Sequence, residues 1–428
     1  MLKKLLVFVN NDDKKRLISN FFSLSILQIL SYLIPLITLP YLVRVLGVGN
    51  FGLISFATAT ISYFQIIVDY GFNYTATREI SIHRDNKEKI IEIFSSVLTI
   101  KFFLLLFSSL VVSVLILTIT RFNKDWVVYF ATFGMVIGQM LFSIWFFQGI
   151  ESMKYITYLN VIAKTFFTLA IFIFIKKPDD YYLVPVFNSL GIIVVGIWSL
   201  FIIRRKFGIF FRIQPFDRIL FYFKDGWFIF VSNLSVSLYT LTTTVLLGLF
   251  TNNTIVGYYA VADKLISAFK AMISPISQAL FPYISRIAIY SKEKAFKILR
   301  QLFFSIGSFM LMVALFLFIF ANTIILKLFG NNALESVIIL RILAVIPFIV
   351  ALDTIFGSLN MLVFKRNKMY SNIIISAGLL NLLLAIILIP IYKHIGAAVS
   401  VLIVELYILF RLIRYTQKSD LKIFGGSK

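Results

Sequence analysis

The residues of this 428-residue chain best able to do chemistry are ionisable side chains set inside long apolar runs. Lys101, Lys164, Asp263, Lys264, Lys270, Arg341, Asp353 and Glu405 all fall within stretches greasy enough to cross a bilayer, and Asp69 lies near the end of another. Each such group costs on the order of 2.5–3.5 kcal/mol at the centre of a membrane helix, so it needs a wet cavity or a partner. Cations outnumber acids among the eight, which points to a cavity for an anionic ligand, with Lys164, Lys264, Lys270 and Arg341 as candidate contacts. The acids suit a different task. A carboxylate that meets wet and dry surroundings in turn can take up and release a cation, so Asp69, Asp263, Asp353 and Glu405 are candidates for coupling to an H+ or Na+ gradient. Lys101 and Lys264 also have stems long enough to pair or to snorkel to the interface.

Uncharged polar residues extend the pattern. Thr58, Ser62, Gln65, Asp69 and Asn73 recur at helical spacing and share one face at about 100° per residue. Asp263, Ser267, Lys270, Ser274 and Gln278 repeat the same spacing 205 residues later. Gly52 with Ala57 and Gly257 with Ala262 fix the same offset independently. Weaker stripes, Ser25, Gln28, Tyr32 and Pro35 and then Ser232, Ser235, Tyr239 and Thr243, fall in the first apolar run of each half. Duplicated stripes in greasy helices predict a polar cavity between two related halves.

The elements that must position these groups are membrane spans. Runs of roughly 20 apolar residues predict twelve, at 19–43, 52–73, 93–120, 126–149, 156–175, 181–203, 225–250, 256–281, 300–328, 335–363, 370–390 and 393–414. The expected fold is an all-α integral membrane protein, with twelve transmembrane helices in two pseudo-symmetric six-helix lobes around a central cavity. Residues 1–203 form the first lobe, 204–224 a cytoplasmic linker, and 225–428 the second lobe with a short tail. Pro35, Pro275 and Pro347 lie within spans, where proline bends helices.

Composition agrees. The chain is 60% hydrophobic and 14% charged, with mean hydropathy +0.94. A net charge of +22 would suggest nucleic acid in a soluble chain, but its distribution argues for a membrane instead. With both termini inside, the cytoplasmic segments hold 29 Lys and Arg and the opposite side seven, as the positive-inside rule requires. Trp126, Trp145, Trp198 and Trp227 sit near span ends, where indole rings favour the headgroup region. There are no cysteines, and no HExxH, GxGxxG or Walker A motif, so no cofactor or nucleotide site is expected. His83 and His394 are solitary and are expected in solvated loops.

Several motifs resemble a known family. Leu39-Pro40-Tyr41-Leu42-Val43-Arg44-Val45-Leu46-Gly47, Asn50-Phe51-Gly52-Leu53-Ile54, Asp69-Tyr70-Gly71-Phe72 and Ala76-Thr77-Arg78-Glu79-Ile80-Ser81 look like the amino-terminal half of the Wzx-type O-antigen flippases. These form part of the polysaccharide transporter branch of the multidrug/oligosaccharidyl-lipid/polysaccharide exporters. Val256-Gly257-Tyr258-Tyr259, Ala262-Asp263-Lys264 and Phe281-Pro282-Tyr283-Ile284-Ser285-Arg286 are similar to later blocks, whereas the last four spans resemble the family by hydropathy alone. The resemblance implies a bacterial inner-membrane flippase, with both termini cytoplasmic, that moves undecaprenyl-diphosphate-linked oligosaccharide between leaflets by alternating access. Its partners would be that lipid-linked substrate and membrane lipids. It adds Arg44 near the outer mouth and Arg78 near the inner one to the expected substrate contacts. The alternatives are a drug/cation antiporter of the same superfold, which would want carboxylates in the first or seventh span, and a membrane polymerase or glycosyltransferase, which would want a large external loop. A purely structural scaffold is disfavoured by the intramembrane charges.

Overall fold

The structure, a computed structural model, describes residues 11–424, with the backbone only at 11–33, 35, 239 and 279. All regular structure among these residues is helical. By length and composition, eight helices among the described residues could cross a membrane, or nine counting one bent pair.

α1 spans Asn11–Asp69, 59 residues. Unbroken, it would be about 88 Å long at 1.5 Å per residue, far more than a hydrocarbon core of roughly 30 Å. It is in fact two arms meeting at Gly47, whose φ of 79° is open to glycine at no steric cost. Tyr70 and Gly71, with φ of 50° and 83°, then end α1 and start α2 (Phe72–Ile82). The Tyr70 ring is held between Phe223 and Phe230, with centroids 4.6 and 4.9 Å away. The first polar stripe therefore runs to Asp69 on one helix, while Asn73 belongs to the next.

α3 (Lys87–Thr118), α4 (Thr120–Asn123), α5 (Trp126–Leu141), α6 (Ile144–Gly149), α7 (Met153–Phe174) and α8 (Leu183–Ile202) follow. After a one-turn π-helix, α9 (Phe216–Thr240), α10 (Thr242–Phe250), α11 (Asn253–Ala271), α12 (Ile273–Tyr290) and α13 (Lys292–Phe329) continue the chain. α14 (Ser336–Leu343) and α15 (Ile346–Asp353) lead into a π-helical stretch, Thr354–Leu362, and then into α16 (Asn367–Lys418). α16 is again two arms, divided at Lys393 with φ 50°.

Two of the breaks follow from proline. A proline lacks the N–H for, and crowds, the carbonyl four residues earlier. Four before Pro275 is Ala271, the last residue of α11, and four before Pro347 is Leu343, the last of α14. The second stripe is consequently split, with Asp263, Ser267 and Lys270 on α11 and Ser274 and Gln278 on α12.

The described residues divide into two compact units, residues 11–38 with 60–234 and residues 39–59 with 235–424. The first is centred on buried aromatics including Phe94, Trp145, Phe146 and Phe147. The second has a core of Leu352, Phe356, Ile373, Val404 and Ile408. The 205-residue offset persists in three dimensions. Within the second unit, a methyl added to Gly52 would overlap the Asn253 carbonyl oxygen, and one added to Gly257 would overlap that of Val48. Val48 and Asn253 are themselves 205 apart, so the contact is reciprocal, as across a two-fold axis. Repeat-related helices also start alike. Asn86 caps α3 by accepting from the Lys89 amide, and Ser291 caps α13 by accepting from the Lys294 amide.

Candidate substrate cavities

Each compact unit holds a polar cavity on its stripe. In the first, Ser62, Gln65, Ile66 and Asp69 of α1 line about 210 Å³ together with Gln139 and Asn233. In the second, Ser267, Lys270 and Ala271 of α11 line about 430 Å³ with Asp353, Thr354, Ser358, Tyr370 and Glu405. Ser62, Gln65 and Ile66 are the 205-residue counterparts of Ser267, Lys270 and Ala271, so the same helix face opens the cavity in both units. The π-helical stretch supplies Thr354 and Ser358 from its wide turns, next to Asp353. Gln139, Asn233, Ser358 and Tyr370 join the stripes in lining these cavities, and each is a polar residue within an apolar run.

The two cavities differ in charge. In the first unit, Asp69 pairs with Lys101, Oδ1 to Nζ at 3.5 Å, and accepts a 2.8 Å hydrogen bond at Oδ2 from the Asn73 amide. Lys101 is 1% exposed and also reaches the Gln139 carbonyl at 3.5 Å, whereas Asp69 is 14% exposed and touches the cavity. This acid is balanced by a fixed partner. The second cavity carries two carboxylates, Asp353 and Glu405, against the one ammonium of Lys270. Asp353 Oδ1 is buried with no hydrogen-bond partner.

The remaining expected residues lie elsewhere. Thr58 returns its hydroxyl to the Ile54 carbonyl of its own helix at 2.8 Å. Gln278 donates to Ser274 at 3.0 Å on α12. Asp263 is half-buried near the enclosed Tyr259, and Lys164 is half-buried on α7. Lys264 and Arg341 are exposed on the second unit and do not line its cavity. Gln28 and Tyr32 have side chains outside the described residues, as do Ser25, Pro35 and Tyr239. Thr243 is buried and accepts from the Asn381 amide at 3.1 Å.

Three more of the residues singled out from the sequence meet protein partners. Arg44, expected at a substrate mouth, donates from Nε and Nη2 to the Leu328 and Lys327 carbonyls. It satisfies the open C-terminal turn of α13, a contact 284 residues away in sequence. Arg78 gives its Nη2 to both Asp225 oxygens at 3.0 Å and to Glu79 at 3.2 Å, so acids already occupy its fork. His394 is not a solvated loop residue. It lies inside α16, 8% exposed, with its ring 5.9 Å from that of Tyr258 and Nε2 3.9 Å from Glu335.

Known proteins resemble this chain in sequence or in fold. The model of a family described as "Polysaccharide biosynthesis protein" matches residues 17–288. A candidate O-antigen transporter of Escherichia coli (strain K12) is 30% identical over 413 residues, covering 96% of this chain and 100% of that protein. A second candidate O-antigen transporter, from Shigella dysenteriae, is 27% identical over 387 residues, 90% of this chain and 96% of the relative. Among solved structures, a lipid II flippase, MurJ, in an inward closed conformation aligns at TM-score 0.64 and 15% identity, over 94% of this chain and 88% of the other. An outward-facing multidrug transporter of the MATE family aligns at TM-score 0.60 and 15% identity, over 93% and 94%. At these identities the structural matches carry the fold. The family-model match extends to residue 288, close to where the family-like motifs end. The chain belongs to the polysaccharide biosynthesis protein family, as a multi-pass membrane transporter with the fold of the multidrug/oligosaccharidyl-lipid/polysaccharide exporters.

Proposed function

We propose that this protein is a flippase that carries an undecaprenyl-diphosphate-linked oligosaccharide from the cytoplasmic to the outer leaflet of the bacterial inner membrane by alternating access. The observation that carries this reading is the repeat-related pair of polar cavities, in a chain whose relatives are named as candidate O-antigen transporters. A pyrophosphate bearing a glycan needs cations and hydroxyl or amide groups out of lipid, while its polyprenyl tail can stay in lipid. Lys270 is the principal contact for the anionic group, with Lys164, Lys264 and Arg341 as further ones along the path. Twelve crossings, with both termini and residues 204–224 cytoplasmic, fit the 29 to seven cation split. The arms of α1 and α16 would each make two of those crossings.

Coupling falls to Asp353 and Glu405 in place of Asp263 or the Lys101-paired Asp69. With both carboxylates ionised, the field at Lys270 is spent on them. A proton or Na+ bound there releases that field to a phosphate, and by linkage a bound phosphate favours the cation. The two acids would suit a cationic drug as well, so antiport is the second reading.

Deletion of the gene tests the choice. A flippase leaves the lipid-linked oligosaccharide accumulated on the cytoplasmic leaflet. An antiporter leaves polysaccharide output normal and raises sensitivity to cationic drugs.

A further inference from the structure

Residues 203–218, the link from α8 to α9 with the first turn of α9, form an arrangement that neither cavity uses. The π-helical turn Ile203–Phe207 carries Arg204, Arg205 and Lys206, and Gly208, at φ 63°, turns the chain into a stretch without regular structure. That stretch is anchored. Ile203 and Ile209 are buried in the core of the first unit, and the Arg212 amide donates to Ser95 Oγ at 2.9 Å. Yet Phe210, Phe211, Ile213 and Phe216 all face outward, Ile213 at 86% and Phe216 at 72% exposure.

Two physical demands conflict here. Irregular backbone cannot lie against hydrocarbon, because its peptide groups would lose their hydrogen-bond partners. A run of outward aromatic and branched side chains is equally unsuited to bulk water. The boundary between headgroups and acyl chains satisfies both, with side chains dipping in and peptide groups staying wet. Charge selects the kind of lipid. Five cations and one acid, Asp217, fall in 203–218. Arg212 lies 3.7 Å from Glu88 at an exposed site, Arg218 lies 4.0 Å from the half-buried Glu92, and Lys206 donates to the Tyr155 hydroxyl. Arg204 and Arg205 are exposed.

We propose that residues 203–218 form an interfacial strip that docks on the bilayer surface and binds anionic phospholipid headgroups. The absence of cysteine makes this directly testable in the full chain. Single variants Ile213→Cys and Phe216→Cys carry a nitroxide in nanodiscs made with or without phosphatidylglycerol, and Asn331→Cys, in an exposed polar turn, gives an aqueous reference. Collisions with oxygen should exceed those with a water-soluble nickel chelate at 213 and 216, more so with phosphatidylglycerol, while Asn331→Cys shows the reverse. Native mass spectrometry should show retained phosphatidylglycerol falling about five-fold for each cation removed in Arg204→Gln and Arg205→Gln. Nickel-dominated collisions at both positions in both lipids would overturn the docking. Lipid retention unchanged in the double glutamine variant would overturn the headgroup assignment. Neither readout depends on transport, so a failure here is distinct from a failure of the flippase reading.

Discussion

Breaking the Asp69–Lys101 pair from either side should have unequal consequences. Removing one partner of a buried ion pair costs about 3–5 kcal/mol, most of it the stranding of the other charge. Asp69→Asn strands an ammonium that is 1% exposed and otherwise reaches only a carbonyl at 3.5 Å, so the upper end, about 5 kcal/mol, applies. Lys101→Met strands a carboxylate that touches the cavity and keeps the Asn73 amide at 2.8 Å, so the cost is nearer about 3 kcal/mol. The double variant buries no unpaired charge and should cost less than either single change, a coupling above about 5 kcal/mol. Equilibrium unfolding in mixed detergent micelles, followed by tryptophan emission, measures all three; the fully buried Trp145 lies in the core of this unit. Because the pair is assigned to architecture, the double variant should still export polysaccharide once inserted. Additive losses, with coupling below about 0.5 kcal/mol, would refute the buried pair. A stable double variant without export would refute its purely structural role.

Gly52→Ala or Gly257→Ala should each prevent accumulation of folded protein in the membrane, because the new methyl meets a carbonyl oxygen of the backbone, which cannot swing aside. Protease resistance of the membrane fraction checks this. Arg44→Ala should lower stability by about 1–2 kcal/mol through loss of the α13 terminal contacts, with export retained in what folds; a loss of export at normal stability would return Arg44 to the substrate path. The Asp420 carboxyl is held below its ordinary range by its hydrogen bond to Lys292 and its contact with Arg366, 2.5 and 3.1 Å away. A depressed folded-state value gives stabilisation that is complete above the unfolded value of about 3.9 and lost as pH falls through the folded one. Amide exchange at Leu421 and Ile423 should therefore quicken only below about pH 4 in wild type, and already at pH 7 in Asp420→Asn.

The sequence made the cavity faces legible because a polar stripe in a greasy helix has one physical outlet. Ser62, Gln65 and Asp69 line one cavity, Ser267 and Lys270 the other, and Asp353 and Glu405 were found by depth alone. Tertiary partnership was not legible. Lys101 and Asp69 sit on different helices, and Arg44 meets α13 across 284 residues, so no local spacing could announce either contact. Lys264 and Arg341 lie off the cavity because depth in a span does not fix which side of a helix faces it, and their role along the path belongs to the proposal. Pro275 and Pro347 signal bends, and the breaks fall where proline chemistry requires, yet spacing alone carries the stripe through Lys270 across one of them as a single face.

Reconstitution of wild type and Lys270→Ala in proteoliposomes tests the central claim most directly. A fluorescent undecaprenyl-diphosphate oligosaccharide is placed in one leaflet, and its appearance in the other is followed by a membrane-impermeant quencher under an imposed H+ or Na+ gradient. Wild type should translocate the lipid, faster with the driving gradient, and Lys270→Ala should fall to the rate of empty liposomes while remaining folded and inserted. Wild type no faster than empty liposomes under either gradient, or Lys270→Ala as fast as wild type, would contradict the account.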